Sequence, residues 1–153
     1  MEKSVILTLT TLGKTLATAE SCTGGLLGKR LTDVAGASAV YLGGVISYAY
    51  AVKEELLGVE PALLREKGAV CAEVAEQMAQ GVRRLLHADF ALSVTGNAGP
   101  GADEKNPRVG EIFIACAASD RTVCSRLELS GSREENRSAA CQAALQLLLK
   151  ELS

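Results

Sequence analysis

The chain has 153 residues, of which 48% are apolar and 3% aromatic, with no Trp, one His and a formal net charge of −2. That length suits a single domain over residues 1–153 with a sizeable core, because domains commonly take about 100–200 residues. The near-neutral charge gives no basic surface for nucleic acid, three Tyr and two Phe give few base-stacking platforms, and no apolar run approaches the roughly 18 residues of a membrane helix.

Lys3 to Leu12 reads as helix or strand, since its Val, Ile and Thr residues are β-branched. Gly13 ends it, and Thr15 to Ala19 reads as a short strand. Glu20 to Gly25 turns into a helix running to about Leu31. Val40 to Tyr48, broken by Gly43-Gly44, reads as a buried strand. Ala51 to Leu57 reads as a short helix closed by Gly58, and Pro61 opens another. Cys71 to Leu86 is the clearest amphipathic helix, with Cys71, Val74, Ala75, Met78, Val82 and Leu85 at helical spacing. Phe90 to Thr95 alternates like a strand and runs into a second Gly-rich loop. Gly110 to Ala117 and Thr122 to Leu129 read as a hairpin around Ser119-Asp120, with Val123, Leu127 and Leu129 on one face. Ser132 to about Leu152 reads as a largely buried helix whose polar stripe is Gln142, Gln146 and Lys150. Strands interleaved with helices, plus one hairpin, predict an α/β fold: a compact three-layer sandwich with a mixed sheet flanked by helices. The scarcity of aromatics predicts a core of Ala, Leu and Val with close helix–sheet packing.

Five widely spaced cysteines, with no CxxC and only His87 beside them, predict no zinc site and reduced thiols, as in a cytoplasmic protein. Met1 to Thr10 lacks the layout of a secretory signal. No cofactor or metal is expected. Ala-rich buried helices make a homodimer the expected assembly.

Two Gly-rich loops, Ser21 to Gly25 and Thr95 to Gly101, each follow a predicted strand. Loops of this kind either make tight turns or present backbone N–H groups to a phosphate or an oxyanion. Their place at strand ends favours ligand binding. Neither is a Walker motif or a G-x-S-x-G elbow. His87 closes a helix, so an activated serine needs another base, and lysine is the natural candidate. Lys53 follows the apolar strand; a solvated helix lysine beside Glu54 and Glu55 is the competing reading. Arg133 and Arg137 share a helix face, where like charges repel unless they meet an anion or simply face water. Cys22 is either a second nucleophile candidate or a small buried thiol.

Thr18-Ala19-Glu20-Ser21-Cys22-Thr23-Gly24-Gly25 resembles the signature of the CinA C-terminal domain family, the nicotinamide-nucleotide amidohydrolases. The resemblance continues through Gly43 to Tyr48, Leu56 to Val59, Gly68 to Val70, Val94 to Gly96, Ala98 to Gly101 and Val109-Gly110, across essentially the whole chain. It implies a compact α/β sandwich that hydrolyses nicotinamide mononucleotide to nicotinate mononucleotide and ammonia, with a small-molecule nucleotide as its partner. The implied catalytic group is Ser21, Tyr48 and Lys53. The implied substrate-binding set is Thr23, Gly24 and Gly25 in one loop, Thr95, Gly96, Asn97, Ala98 and Gly99 in the other, and Arg137. Either loop can take the phosphate and the other the oxyanion. The chain departs from the family pattern at Ala49-Tyr50 (usually Ser-Asn), at Asn97 and Asn136 (usually Ile), at Ser132, and at Ala102 to Asn106, usually Gly/Ser-rich. The departures at Ala49, Tyr50 and Asn97 support an alternative, a non-catalytic or weakly active nucleotide-binding relative.

Overall fold

The computed structural model describes residues 1–153. Glu2–Leu12 is helix α1, so the first ambiguity resolves in favour of helix. Val5, Ile6 and Leu9 bury one stripe of it, and Gly13 closes it in the left-handed conformation at φ 65°. The remaining elements are β1 (Leu16–Glu20), α2 (Leu26–Thr32), a 3-10 turn at Ala37–Ala39, β2 (Tyr41–Ile46), α3 (Tyr50–Leu57), α4 (Pro61–Lys67), α5 (Ala72–Leu86), β3 (Phe90–Gly96), β4 (Glu111–Ala117), β5 (Thr122–Glu128) and α6 (Arg133–Leu152).

The five strands form one mixed sheet in the order β2-β1-β3-β4-β5. β1 pairs in parallel with both β2 and β3, and β4 pairs antiparallel with β3 and with β5. Helices α1, α2 and α6 cover one face; α3, α4 and α5 cover the other. The fold is therefore the three-layer α/β sandwich that the element order implied.

The two faces differ in side-chain size. Leu16, Leu92, Val94, Ile112 and Ile114 meet α1, α2 and α6. Ala17, Ala19 and Ala91 meet α3, α4 and α5, and Ala115 and Ala117 meet Ala75 and Ala79 of α5. Small residues on both sides let that helix lie close to the sheet. Gly81 does the same between α5 and α3, because a Cβ there would sit 1.9 Å from the Leu57 carbonyl oxygen.

β2 corrects one expectation. It is an edge strand rather than a buried one: its residues alternate between half-buried and exposed, and Leu42 and Ile46 face outward. The strand order has a functional consequence. The chain leaves β1 for β2 on one side and reaches β3 on the other, so the carboxyl end of β1 is a topological switch point. Ligands of open α/β sheets bind at such points.

Candidate active site

Ser21 follows β1 directly, at that switch point, and its N–H donates to the Val94 carbonyl of β3 at 2.9 Å. The chain then turns through Gly24 (φ 57°) and Gly25 (φ 106°), conformations that side chains with a Cβ rarely adopt. Glu20 fixes this turn. Its buried carboxylate accepts the N–H groups of Gly25 (3.2 Å), Leu27 (2.9 Å) and Gly28 (3.0 Å). A carboxylate at a helix N-terminus satisfies donors that α2 cannot satisfy itself and suits its dipole. The expectation that N–H groups near Gly24-Gly25 hold a ligand is thereby corrected. Gly25 donates to Glu20, and Gly24 donates to the Ser21 carbonyl. The N–H groups of Cys22 and Thr23, one and two residues after the serine, have no acceptor within the chain.

Lys53 lies one turn into α3 and is fully buried, against the reading of a solvated lysine. Its Nζ lies 2.8 Å from Ser21 Oγ, and it donates to the Ser47 carbonyl at 2.5 Å and to the Tyr48 carbonyl at 3.2 Å. No carboxylate pairs with it. Burial lowers its pKa to about 8, while the Asp103 carboxylate acts the other way. A neutral lysine with two N–H bonds committed to carbonyls has its lone pair left for the serine hydroxyl. Cys22 is the reverse case: burial pushes its thiol up to about 11, so it remains protonated and a poor nucleophile.

The second loop, after β3, is tied internally. Thr95 donates its hydroxyl to the Ala69 carbonyl. Asn97 donates its side-chain amide to the carbonyls of Asn106 (2.9 Å) and Arg108 (3.0 Å) and accepts the N–H of Asp103 (2.7 Å). Asn97 thus shapes the loop, and the N–H groups of Ala98 and Gly99 remain without acceptors in the chain.

Helix α6 clamps both loops. Ser132 and Glu135 form a capping box at its start. Arg133 donates to the Gly99 carbonyl at 2.9 Å, and Asn136 donates to the carbonyls of Ala98 and Gly131. Arg137 reaches the other loop, with Nε on the Cys22 carbonyl and Nη2 on the Thr23 carbonyl, both at 2.9 Å. The i, i+4 arginine pair therefore needs no anion to hold it, since each guanidinium meets backbone carbonyls of a different loop.

Ser21, Cys22, Tyr48, Lys53, Thr95, Gly96, Asn97 and Ala98 line a common cavity of about 340 Å³, within the range of small-molecule sites. Thr23, Gly24, Gly25, Gly99 and Arg137 do not line it. Thr23 is fully buried, and its hydroxyl has no hydrogen-bond partner. Tyr48 is 64% exposed and reaches the lysine through its carbonyl, while its phenol bonds to neither Ser21 nor Lys53. Arg133, one of the arginine pair weighed as an anion site, also lines the cavity, as do Tyr50 and Asp103, which the sequence does not mark as site residues. No helix is long and apolar enough to cross a membrane, and no three His, Cys, Asp or Glu side chains gather as metal ligands.

The CinA C-terminal domain family matches residues 1–152. A CinA-like protein of Geobacter sulfurreducens is 49% identical over 142 residues, covering 92% of this chain and 34% of that protein. A putative competence-damage inducible protein of Caldanaerobacter subterraneus is 43% identical over 152 residues, covering 99% of this chain and 37% of that protein. The chain thus spans about a third of the length of these curated relatives. Among solved structures, the competence/damage inducible protein CihA from Agrobacterium tumefaciens is similar at a TM-score of 0.93 and 38% identity, over 97% of this chain and 92% of that one. A CinA superfamily protein from Enterobacter cloacae is similar at a TM-score of 0.95 and 31% identity, over 99% of this chain and 90% of that one. The chain belongs to the CinA C-terminal domain family.

Proposed function

We propose that this protein is a metal-independent amidohydrolase acting on the carboxamide of nicotinamide mononucleotide. The observation that carries the reading is the fully buried, carboxylate-free Lys53 with its Nζ 2.8 Å from Ser21 Oγ. A serine beside a desolvated lysine is a nucleophile beside its base.

In this mechanism neutral Lys53 takes the hydroxyl proton as Ser21 Oγ attacks the carboxamide carbon. The N–H groups of Cys22 and Ala98, both on the cavity lining, hold the oxyanion; one such donor is worth about 3–4 kcal/mol of barrier. The C–N bond breaks, the lysine returns the proton to the nitrogen, and ammonia leaves. Water then attacks the acyl-serine ester, giving a proton to Lys53; as the ester C–O bond breaks, Lys53 returns that proton to Ser21 Oγ, and nicotinate mononucleotide departs. Tyr48 contributes its carbonyl to the lysine, so the proton passes directly between Ser21 and Lys53. Arg133, the arginine on the cavity wall, takes the phosphate, and Arg137 holds the Ser21 to Gly25 loop.

The test is ammonia release from nicotinamide mononucleotide by the purified chain and by Ser21→Ala. Release by the first and loss of release in the second are expected. Saturable binding without release would favour the non-catalytic alternative. Turnover retained in Ser21→Ala would overturn the serine mechanism.

A further inference from the structure

We propose that Tyr50 and Asp103 form a specificity-determining wall that selects a positively charged planar ring over an uncharged one, an inference that rests on the nucleotide reading above and deepens it. Tyr50 opens α3, one turn before Lys53. Asp103 lies in the loop after β3. The Tyr50 hydroxyl donates to the Asp103 carboxylate, 2.6 and 2.8 Å from its two oxygens. Oδ2 of the same carboxylate accepts the Ala69 N–H at 2.7 Å, and the Asp103 N–H is held by Asn97. All four residues line the cavity that contains Ser21 and Lys53.

Three facts point to a cationic ring. First, Asp103 is the one carboxylate on the cavity wall, and no arginine or lysine pairs with it. Its hydrogen bonds come from neutral donors, so no ion pair ties up its oxygens, and beside Lys53 and Arg133 it is the one negative group a cationic ring can meet in this cavity. Second, Arg133 lies on the same wall, so the lining offers both signs of charge. A ligand with a cationic ring and an anionic phosphate satisfies both. Third, Tyr48 and Tyr50 are two of only five aromatic residues in the chain, and both lie here. A phenol that donates to a carboxylate has an electron-rich ring face, which attracts cations. Burial and Asp103 push the Tyr50 phenol up to about 12, so it stays a donor across the working pH range.

The experiment titrates the Ser21→Ala chain, which cannot turn over, with nicotinamide mononucleotide and with its reduced 1,4-dihydropyridine form. The two ligands share ribose, phosphate and carboxamide and differ in ring charge. The cationic ring is expected to bind about tenfold more tightly, the scale of one partly desolvated cation–π contact with a nearby carboxylate. Adding Asp103→Asn keeps an oxygen for the Ala69 N–H and should cut the preference to roughly threefold or less, with affinity for the reduced ring nearly unchanged. Adding Tyr50→Leu, on a different element, should cut it likewise; circular dichroism verifies that both variants are folded. Equal affinity for the two rings, no binding of either, or a preference that survives both substitutions overturns the assignment. Ammonia release is scored separately on the unsubstituted chain. Preference without release overturns the amidase reading and supports the wall; release without preference overturns the wall alone.

Discussion

The backbone carbonyl of Glu20 accepts both the N–H of Ser47, at 2.7 Å, and its hydroxyl, at 3.2 Å. This joins the residue before the nucleophile to the residue whose carbonyl holds Lys53. The path from Ser21 through Glu20 and Ser47 to Lys53 and back to Ser21 is a closed set of short links. The serine–lysine distance is therefore set by the sheet edge rather than by flexible side chains. Preorganisation of this kind keeps the reacting atoms in place at no cost when substrate arrives.

Glu20 bears the most load in that circuit. Glu20→Ala leaves the N–H groups of Gly25, Leu27 and Gly28 without their acceptor. Unsatisfied buried donors cost about 1–3 kcal/mol each when fully dry, and partial hydration of this turn brings the expected total to about 2–4 kcal/mol. Glu20→Gln, which keeps one oxygen, should cost about half as much. Urea unfolding measures both. Equal stability of all three proteins would show that the cap contributes nothing.

Lys53→Met replaces the amine with a side chain of similar length and no lone pair. Loss of a positioned base lowers kcat by roughly 10²–10⁴-fold. Because a base acts as the transition state forms, KM should change little. Steady-state ammonia release reads both constants. A variant with near-normal kcat would remove Lys53 from the chemistry.

The same lysine predicts two pH effects. Activity requires the neutral amine, so kcat/KM should rise with pH and level off above about 8. Asp103→Asn removes a charge that favours the protonated amine, so it should shift the inflection to lower pH. Stability follows from linkage. The folded lysine loses its proton near 8, and the unfolded one near its ordinary value of 10.5. Between those values the unfolded chain binds more protons, so this group's contribution to stability rises with pH across that window. Below pH 8 its full penalty, about 3 kcal/mol, is present. Denaturant unfolding at pH 7 and pH 10 should show this gain in the parent chain and its absence in Lys53→Met.

The layers were legible in the sequence because periodicity and turn residues report local structure. Cys71 to Leu86 and the hairpin around Ser119-Asp120 appear close to where they were expected, as α5, β4 and β5. The burial of β2 was not legible, because an apolar run such as Tyr41 to Ile46 reads alike at the centre and at the edge of a sheet. Nor was the state of Lys53. Glu54 and Glu55 suggest water, yet a helix turns neighbours to different sides, and position 53 is buried with its amine on Ser21. Glu20 carries a usable sequence signal, since a carboxylate just before a Gly-rich turn into a helix is placed to cap it. The bond between Tyr50 and Asp103 joins residues 53 positions apart, and no local pattern encodes such a pair.

The two arginines of α6 allow a sharper separation of binding from chemistry. Arg133 lines the cavity, and Arg137 grips the carbonyls beside the nucleophile. Charge-assisted bonds are worth about 1.5–3 kcal/mol each, so Arg133→Ala should raise KM for the mononucleotide about tenfold or more. It should spare the unphosphorylated riboside, which lacks the group it holds. Arg137→Ala should act differently. It frees the Cys22 and Thr23 carbonyls, loosens the loop that presents Ser21 Oγ, and lowers kcat for both substrates. A 1 Å misplacement can cost about 10²-fold, so this loss can match that of a catalytic group. Kinetics of both variants on both substrates decide the matter. If Arg137→Ala instead raises KM for the mononucleotide alone, its guanidinium leaves the two carbonyls when substrate arrives, and the phosphate sits on Arg137.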